Sequence, residues 1–138
     1  MCLYIGINTK AEVATEDIIC YKFLRTMKAN GSDCLLTPYR MTFIHIGETY
    51  TSRLIVTGIY TNEYTNEEQY VINVGIHSFK EYNDADDAIA DVYGLSDEPR
   101  IIAKCIIPKG AEYYTGTFNG RESYASDELT YLEIINLG

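Results

Sequence analysis

The spacing of apolar side chains changes once along this chain, and that change constrains the fold more than any other feature. Most apolar segments are short, rich in β-branched and aromatic residues, and bounded by turn residues, which is typical of β-strands. The spacing of one helix face occurs in a single place, at Ala85, Ala88, Ile89 and Val92. We therefore predict an α+β fold, with a mostly antiparallel sheet of six to seven strands and one main helix at about 84–93.

The strands and turns follow from local composition. Asn30-Gly31 and Asn119-Gly120 are expected to be turns, and the polar stretch 61–68 is expected to be a long acidic hairpin loop. Asn83 is the predicted N-cap of the helix, and Gly94 its predicted end. The predicted strands lie at 17–25, 41–46, 52–59, 70–79, 100–107 and 128–135, with shorter candidates at 34–36 and 112–117.

The length of 138 residues corresponds to one domain, which we expect to span 1–138. No apolar run approaches the roughly 18 residues that a membrane helix needs, and the N-terminus has no basic segment followed by an apolar stretch. The sequence therefore predicts a cytoplasmic protein without membrane association.

The acidic residues are concentrated in one segment. Between Glu63 and Glu98 lie ten acidic side chains and one lysine, so this segment carries the whole net charge of −9 while the remainder of the chain is balanced. Such a surface disfavours direct nucleic-acid binding, which depends on lysine and arginine. Asp86, Asp87 and Asp91 are candidate contacts for a basic protein partner, and a solvated face that favours solubility is the alternative.

Metal ligands and catalytic motifs give little signal. The four cysteines form no Cys-x-x-Cys pair and no zinc-finger spacing with histidine, so we predict no metal site. His45 and His77 both lie in predicted strands, where each is either a hydrogen-bonded structural residue or a site residue activated by a carboxylate.

Tyrosine is unusually abundant, with 13 residues against 4 phenylalanines and no tryptophan. Its ring and hydroxyl together suit binding surfaces, although aromatic residues also pack well on sheet faces. The candidate binding tyrosines crowd the C-terminal hairpin: Tyr113, Tyr114, Tyr124 and Tyr131.

Most of the chain outside 61–69 resembles a group of small proteins encoded by gut Bacteroidales and their phages, none with an activity that could be transferred. The segments that carry this resemblance are ATEDIICYKFLR, LTPYRMTFIHIGETY, VGIHSFKEYNDADDAIA and KCIIPKGAEYYTGTFNGRESYASDELTYLEI. It implies a phage- or prophage-type accessory protein in the bacterial host cytoplasm or associated with the virion.

A second resemblance is at the level of fold. A first strand with Tyr21, the segment GIHSF before an alanine-bearing helix, and a strand ending in IPKG are together similar to ADP-ribosyltransferase domains. The resemblance implies that Tyr21 contacts NAD and that His77 or Ser78 occupies the second motif. It further implies that Glu128 or Glu133 is the catalytic acid.

Two functions are therefore predicted. The first is a non-catalytic accessory protein that binds a protein partner or a small nucleotide-like ligand without a cofactor, as a host-takeover factor, a defence-blocking factor or a minor virion component. The alternative is an ADP-ribosyltransferase-like enzyme, active or degenerate, with NAD as cofactor. The sequence leaves open whether the protein is an enzyme, because it contains no clear catalytic motif and does not single out one acid.

Overall fold

The computed structural model describes residues 2–38, 42–91 and 101–136. This part of the chain contains thirteen strands and one helix, α1 (Tyr82–Asp91). The strands are β1 (Leu3–Gly6), β2 (Glu12–Val13), β3 (Ile18–Ala29), β4 (Ser32–Leu36), β5 (Phe43–Ile44), β6 (Thr49–Thr51), β7 (Ile55–Thr61), β8 (Glu68–Val74), β9 (Ile76–Phe79), β10 (Ile101–Ile107), β11 (Glu112–Phe118), β12 (Arg121–Ser126) and β13 (Glu128–Asn136).

The predicted fold class is wrong. The protein is mainly β, with thirteen connected strands and one short helix in its described residues, and not an α+β fold with six to seven strands. The antiparallel character does hold, since each strand pair among the described residues is antiparallel.

The number of strands predicted from the sequence is too low because several strands have little apolar content or follow a turn directly. β12 (Arg121–Ser126) contains one aromatic residue and begins immediately after the Asn119-Gly120 turn. The predicted strand 70–79 divides at Gly75, whose φ of +154° suits glycine and whose Cβ, if present, would lie 2.8 Å from Leu54 Cδ1. Of the predicted strand 41–46, only Phe43–Ile44 is a strand, and residue 41 lies outside the described residues.

Both Asn-Gly turns are confirmed. Asn30 and Gly31 have φ values of +53° and +79°, and Asn119 and Gly120 have +52° and +76°. Two consecutive positive φ angles are the mark of the type I′ turn, which matches the twist of the strands that it connects. These turns join β3 to β4 and β11 to β12.

β3 lies at the centre of the sheet and pairs with different strands along its length. The sheet order is β6-β13-β10-β3-β9-β12-β11-β1-β8-β7, and β4 with β5 branches from the distal half of β3. Residues 18–24 of β3 pair with β10, with Cys20 opposite Cys105. β3 therefore presents the side chains of its first half to both faces of a central, well-supported part of the sheet.

The helix covers one of these faces. Its apolar stripe is confirmed at Ala85, Ala88 and Ile89, which are at most 1% exposed, while Val92 and the predicted end at Gly94 lie outside the described residues. The helix begins at Tyr82, so Asn83 is a helical residue and the prediction that it is the N-cap is wrong. The stripe packs into a cluster that we call the helix-side core: Phe23, Phe79, Ala85, Ala88, Ile89 and Ile102.

The opposite face of β3 carries a second, larger cluster. Cys20 and Leu24 alternate with Tyr21 and Phe23 along the strand, so they point away from the helix, into a cluster that includes Cys105 and Tyr131.

In the part of the chain that the structure describes, no helix has the length and apolar character required to span a bilayer.

Candidate functional site

A pocket of about 240 Å³ opens on the face of β3 that the helix does not cover, and we call it the Lys22 pocket. Exposed residues such as Thr42 and Asn73 form part of its lining, so it reaches the surface. Its walls come from β3, β8, β9 and β13 and from the segments around β4 to β6: Lys22, Thr37, Pro38, Thr42, Ile44, Tyr50, Thr51, Ser52, Asn73, Gly75, Ile76, His77 and Tyr131.

Lys22 is the residue of this pocket that is hardest to explain as structure alone. It sits on the strand between Cys20 and Leu24, both of which are fully buried, so alternation carries its side chain into the same apolar cluster. The amine Nζ donates a hydrogen bond of 2.5 Å to the backbone carbonyl of His77. Burial of a lysine amine disfavours its charged form, and a carbonyl oxygen offsets only part of that effect.

The electrostatics of the pocket reflect that burial. Loss of solvent lowers the pKa of Lys22 from 10.5 to about 8, with small opposing contributions from Cys105 and Cys20. Burial raises the pKa of the Cys20 thiol to about 12, and it raises the pKa of Cys105 further still. The two thiols are therefore protonated near neutral pH and do not act as counter-ions for the lysine.

His77 is a buried residue held by backbone carbonyls. Its Nε2 lies 3.0 Å from the carbonyl oxygen of Ile72, and its Nδ1 lies 3.2 Å from that of Gly75. Burial, the largest contribution, lowers the pKa of His77 from 6.5 to about 4 despite these acceptors, so the imidazole is neutral at pH 7. A neutral ring donates to one carbonyl at a time, which makes this a structural arrangement rather than one poised for proton transfer.

Two tyrosines and a short loop fix the other wall. The rings of Tyr50 and Tyr131 meet edge to face, with centroids 5.5 Å apart. The Tyr50 hydroxyl accepts a hydrogen bond of 2.7 Å from the backbone N–H of His45 and donates one of 3.3 Å to Glu48 Oε2. Backbone bonds on either side of Tyr131, Gly47 N to Tyr131 O at 2.6 Å and Tyr131 N to Glu48 O at 3.2 Å, anchor this loop to β13.

The residues that the ADP-ribosyltransferase resemblance singles out do not converge. Tyr21 points to the helix side, where its ring packs edge to face on Tyr82 with centroids 6.0 Å apart. His77 is held as described above. On β13, Glu128 pairs in register with Thr51, and Glu133 is exposed and pairs in register with Lys104.

Ser78, the alternative residue for the second motif, is buried beside Cys20. Its hydroxyl lowers the pKa of that thiol, against the larger effect of burial, although Oγ makes no hydrogen bond within normal limits to the described residues. These positions form no site around a common point, so the catalytic roles stay predictions that the geometry does not support.

The four candidate binding tyrosines are divided among different environments. Tyr131 is 1% exposed and is the member of the set that lines the Lys22 pocket. Tyr113 and Tyr124 stack edge to face, with centroids 6.0 Å apart, against the cluster that contains Tyr131. Tyr114 packs in a separate cluster with Leu3 and Ile5. Their abundance therefore reflects packing as well as binding.

The acidic candidates lie on α1, away from the residues that line the pocket. Asp86 is half-buried and Asp87 is exposed, while the side chain of Asp91 lies outside the described residues. The acidic loop is confirmed as a hairpin connection between β7 and β8, closed by Asn62, whose Oδ1 accepts from the backbone N–H groups of Tyr64 and Thr65. A basic partner for this segment stays a prediction.

Metal chemistry finds no support in the described residues, which contain no group of three or more His, Cys, Asp and Glu side chains placed to hold an ion. The four cysteines are all reduced, with Cys20 and Cys105 buried and Cys2 and Cys34 partly so.

Sequence reasoning missed Lys22, and one signal was present. A lysine flanked at i−2 and i+2 by Cys20 and Leu24 in a strand lies on a face that is otherwise apolar. A charged residue in that position is rare unless a partner or a function requires it.

No family model, no curated protein and no solved structure matches this chain.

Proposed function

We propose that this protein is a non-catalytic binding protein whose ligand is a small organic molecule held in the Lys22 pocket. The observation that carries the proposal is a surface-accessible pocket of about 240 Å³ whose lining contains a lysine amine removed from water. Polar groups that converge in an otherwise apolar concavity are the usual features of ligand sites.

The size of the pocket sets the size of the ligand. An engineered protein cavity of roughly 150 Å³ holds benzene. A pocket of about 240 Å³ therefore admits a ring with one polar substituent or a short branched chain, and it is too small for a whole dinucleotide.

The residue types that line the pocket also favour a small organic ligand. Ile44 and Ile76 supply apolar contact area, and Tyr50 and Tyr131, whose rings meet edge to face, form another part of the wall. The hydroxyl groups of Thr37 and Ser52 offer hydrogen-bonding partners around it. Such a mixture orients a small amphipathic ligand.

Hydrogen bonds fix several described residues of the pocket wall, which favours binding because these residues gain little order when a ligand binds. Thr37 and Thr42 bridge the ends of their loop by two contacts of 3.0 Å, one between their backbones and one from Thr42 N–H to Thr37 Oγ1. The loop before β6 is anchored to β13 by the backbone bonds at Tyr131.

The biological context proposed here rests on the resemblance to phage and Bacteroidales proteins. In that context the protein acts as an accessory factor in the bacterial host cytoplasm or in the virion. An NAD-dependent transferase activity is not carried forward, because no hydrogen bond or ring contact in the described structure joins Tyr21, His77 and the β13 glutamates.

Binding is tested with two tryptophan substitutions that differ in where they point. Thr42 lines the pocket, two residues before the buried Ile44, so Thr42→Trp should fill it. Phe43 is 51% exposed and does not line the pocket, so Phe43→Trp is the matched control. A collection of compounds between benzene and benzoate in size is screened by thermal shift, and hits are located by amide chemical shifts.

We expect hits to perturb the amides of Gly75, Ile76 and His77 in the wild type and in Phe43→Trp. The same compounds should lose at least tenfold in affinity to Thr42→Trp. Hits that bind Thr42→Trp as tightly as the wild type, or a screen that perturbs none of these amides, would overturn the proposed function.

A further inference from the structure

We infer that the ligand of the Lys22 pocket is a small monocarboxylate, whose anionic group pairs with the amine of Lys22. This inference rests on the proposed function and specifies the chemistry of the molecule bound there. It is drawn from the charges that line the pocket and from the groups that face the lysine on each neighbouring strand.

The first argument is the charge balance around the amine. Among the residues that line the pocket, Lys22 is the one that carries a charge at neutral pH, and no aspartate or glutamate is among them. The interactions that affect the lysine come from two thiols, and its hydrogen bond goes to a backbone carbonyl. A buried ammonium is stable in a protein when an anion compensates it, so an anionic ligand supplies what these residues do not.

The titratable groups facing the amine from the surrounding strands leave that charge uncompensated. Cys20 on β3 and Cys105 on β10 remain thiols because burial raises the pKa of each. Burial likewise raises the pKa of Tyr131 on β13, so its hydroxyl is neutral. His77 on β9 is neutral at pH 7 because its pKa is low. Within the described part of the lining, the site therefore presents a single positive charge.

A single positive charge selects a single negative one. A carboxylate places one charge on two oxygens, each able to accept hydrogen bonds, and it pairs with an ammonium at hydrogen-bond distance. A phosphate dianion would bring a second charge with no partner among the lining residues, and removing that charge from water is unfavourable.

Hydroxyl groups in the pocket lining offer further hydrogen bonds to an acid. Thr37 Oγ1 accepts the N–H of Thr42, so its own proton remains available to an acceptor in the pocket. The apolar part of the acid would lie against Ile44 and Ile76. This arrangement distinguishes an acid from its amide mainly through the charge on Lys22, since shape and apolar contact are the same for both.

The test compares acids with their neutral amides on the full-length protein. The probes are acetate and acetamide, propionate and propionamide, and benzoate and benzamide, titrated at pH 7 and followed at the amides of Gly75, Ile76 and His77. We expect at least one acid to bind tenfold or more tightly than its amide. Above pH 8 the affinity for that acid should fall about tenfold per pH unit as the lysine loses its proton, while amide binding stays constant.

Lys22→Met keeps a side chain of similar length without the charge, and Lys28→Met on the exposed end of β3 is its control. We expect the preference for acid over amide to disappear in Lys22→Met and to persist in Lys28→Met. The pH arm needs no variant, so it decides the question even if Lys22→Met does not fold.

The outcomes separate the two proposals. Amides that bind the pocket as tightly as their acids would overturn the carboxylate inference and leave the proposed function standing. No pocket shift with any acid or amide would overturn the carboxylate inference, and both proposals would fall if the wider compound screen also perturbed none of the pocket amides.

Benzaldehyde is the probe for a carbonyl ligand: its carbonyl carbon would bond to Lys22 Nζ with loss of water, and hydride from added borohydride would reduce the imine to a stable amine. A mass gain that maps to the Lys22 peptide and is absent from Lys22→Met, together with no preference for acids, would overturn the carboxylate inference in favour of an imine-forming ligand.

Discussion

Adjacent residues of β3 point to opposite sides of the sheet, where one side forms an apolar core and the other lines a pocket. Phe23 points toward α1 into a cluster that is apolar throughout, whereas Lys22 points to the other side among tyrosines, thiols and hydroxyls. The helix-side core is sealed by Ala85, Ala88 and Ile89, while the other side retains a pocket of about 240 Å³. The difference teaches that the covered side is closed by apolar packing alone, whereas the uncovered side, with the larger buried cluster, also accommodates a charged group.

The comparison also explains the choice of residue types. Where the helix lies on the sheet, alanines allow close approach and phenylalanines fill the remaining space. On the pocket side, the Tyr50 hydroxyl holds the backbone of the loop before β6 and its ring packs on Tyr131. Hydrogen bonds therefore position the pocket wall where the helix-side core relies on apolar packing.

The largest expected effect breaks the helix side. Phe79→Ala removes a ring that is 2% exposed and packed on Phe118, with centroids 6.2 Å apart. The lost burial and the cavity that remains should lower the free energy of unfolding by about 3–5 kcal/mol, measured by urea denaturation. Tyr64→Ala, at a residue that is 96% exposed, is the control and should change it by less than about 0.5 kcal/mol. Equal effects of the two substitutions would show that the packing of Phe79 in the helix-side core does not stabilise the fold.

The second effect concerns the charge on the pocket side. The pKa of Lys22 is about 8 in the folded protein and 10.5 in the unfolded chain, so between these values the unfolded chain binds more protons and stability rises with pH. The shift corresponds to roughly 3 kcal/mol. The side chain of Lys22 as a whole is half-buried, although its amine is shielded, so we expect a gain of roughly 2 kcal/mol.

Lys22→Met should lack this gain, and Lys28→Met should keep it. The measurement is the free energy of unfolding of each protein at pH 7 and pH 10, taken as a difference from the wild type so that other titrating groups cancel. If the free energy of unfolding changed equally with pH in the wild type and in Lys22→Met, the amine would be solvated. The two sides of β3 would then not differ in electrostatics.

The smallest effect sharpens the comparison at the pocket wall. Tyr50→Phe keeps the ring contact with Tyr131 and removes the hydroxyl that accepts the N–H of His45. One hydrogen bond at a partly exposed site contributes about 1 kcal/mol, so thermal or urea denaturation should detect a small loss. The amide of His45 should also exchange with solvent faster, whereas the amides of β10 should not change. Faster exchange throughout the sheet would contradict a local role for this hydroxyl.

Part of the fold could be predicted because the signals are local. The Asn30-Gly31 and Asn119-Gly120 turns follow from residues that tolerate positive φ, and the helix stripe at Ala85, Ala88 and Ile89 follows from its period. The strand count could not be predicted in this way. β1, β2, β6 and β12 are short or polar and are strands because neighbouring strands supply their hydrogen bonds.

The candidate site shows the same division more sharply. His77 and Tyr131 were recognised as residues of interest, but their surroundings were not, because the carbonyls of Ile72 and Gly75 and the ring of Tyr50 come from other segments. The sequence by itself determined where the Asn-Gly turns lie and which residues of the described helix are buried. It also determined that the net charge is concentrated in one segment. Only the tertiary structure decided that Lys22 would be enclosed beside His77, 55 residues away in the chain, because burial depends on which strands pair and not on the residues next to it.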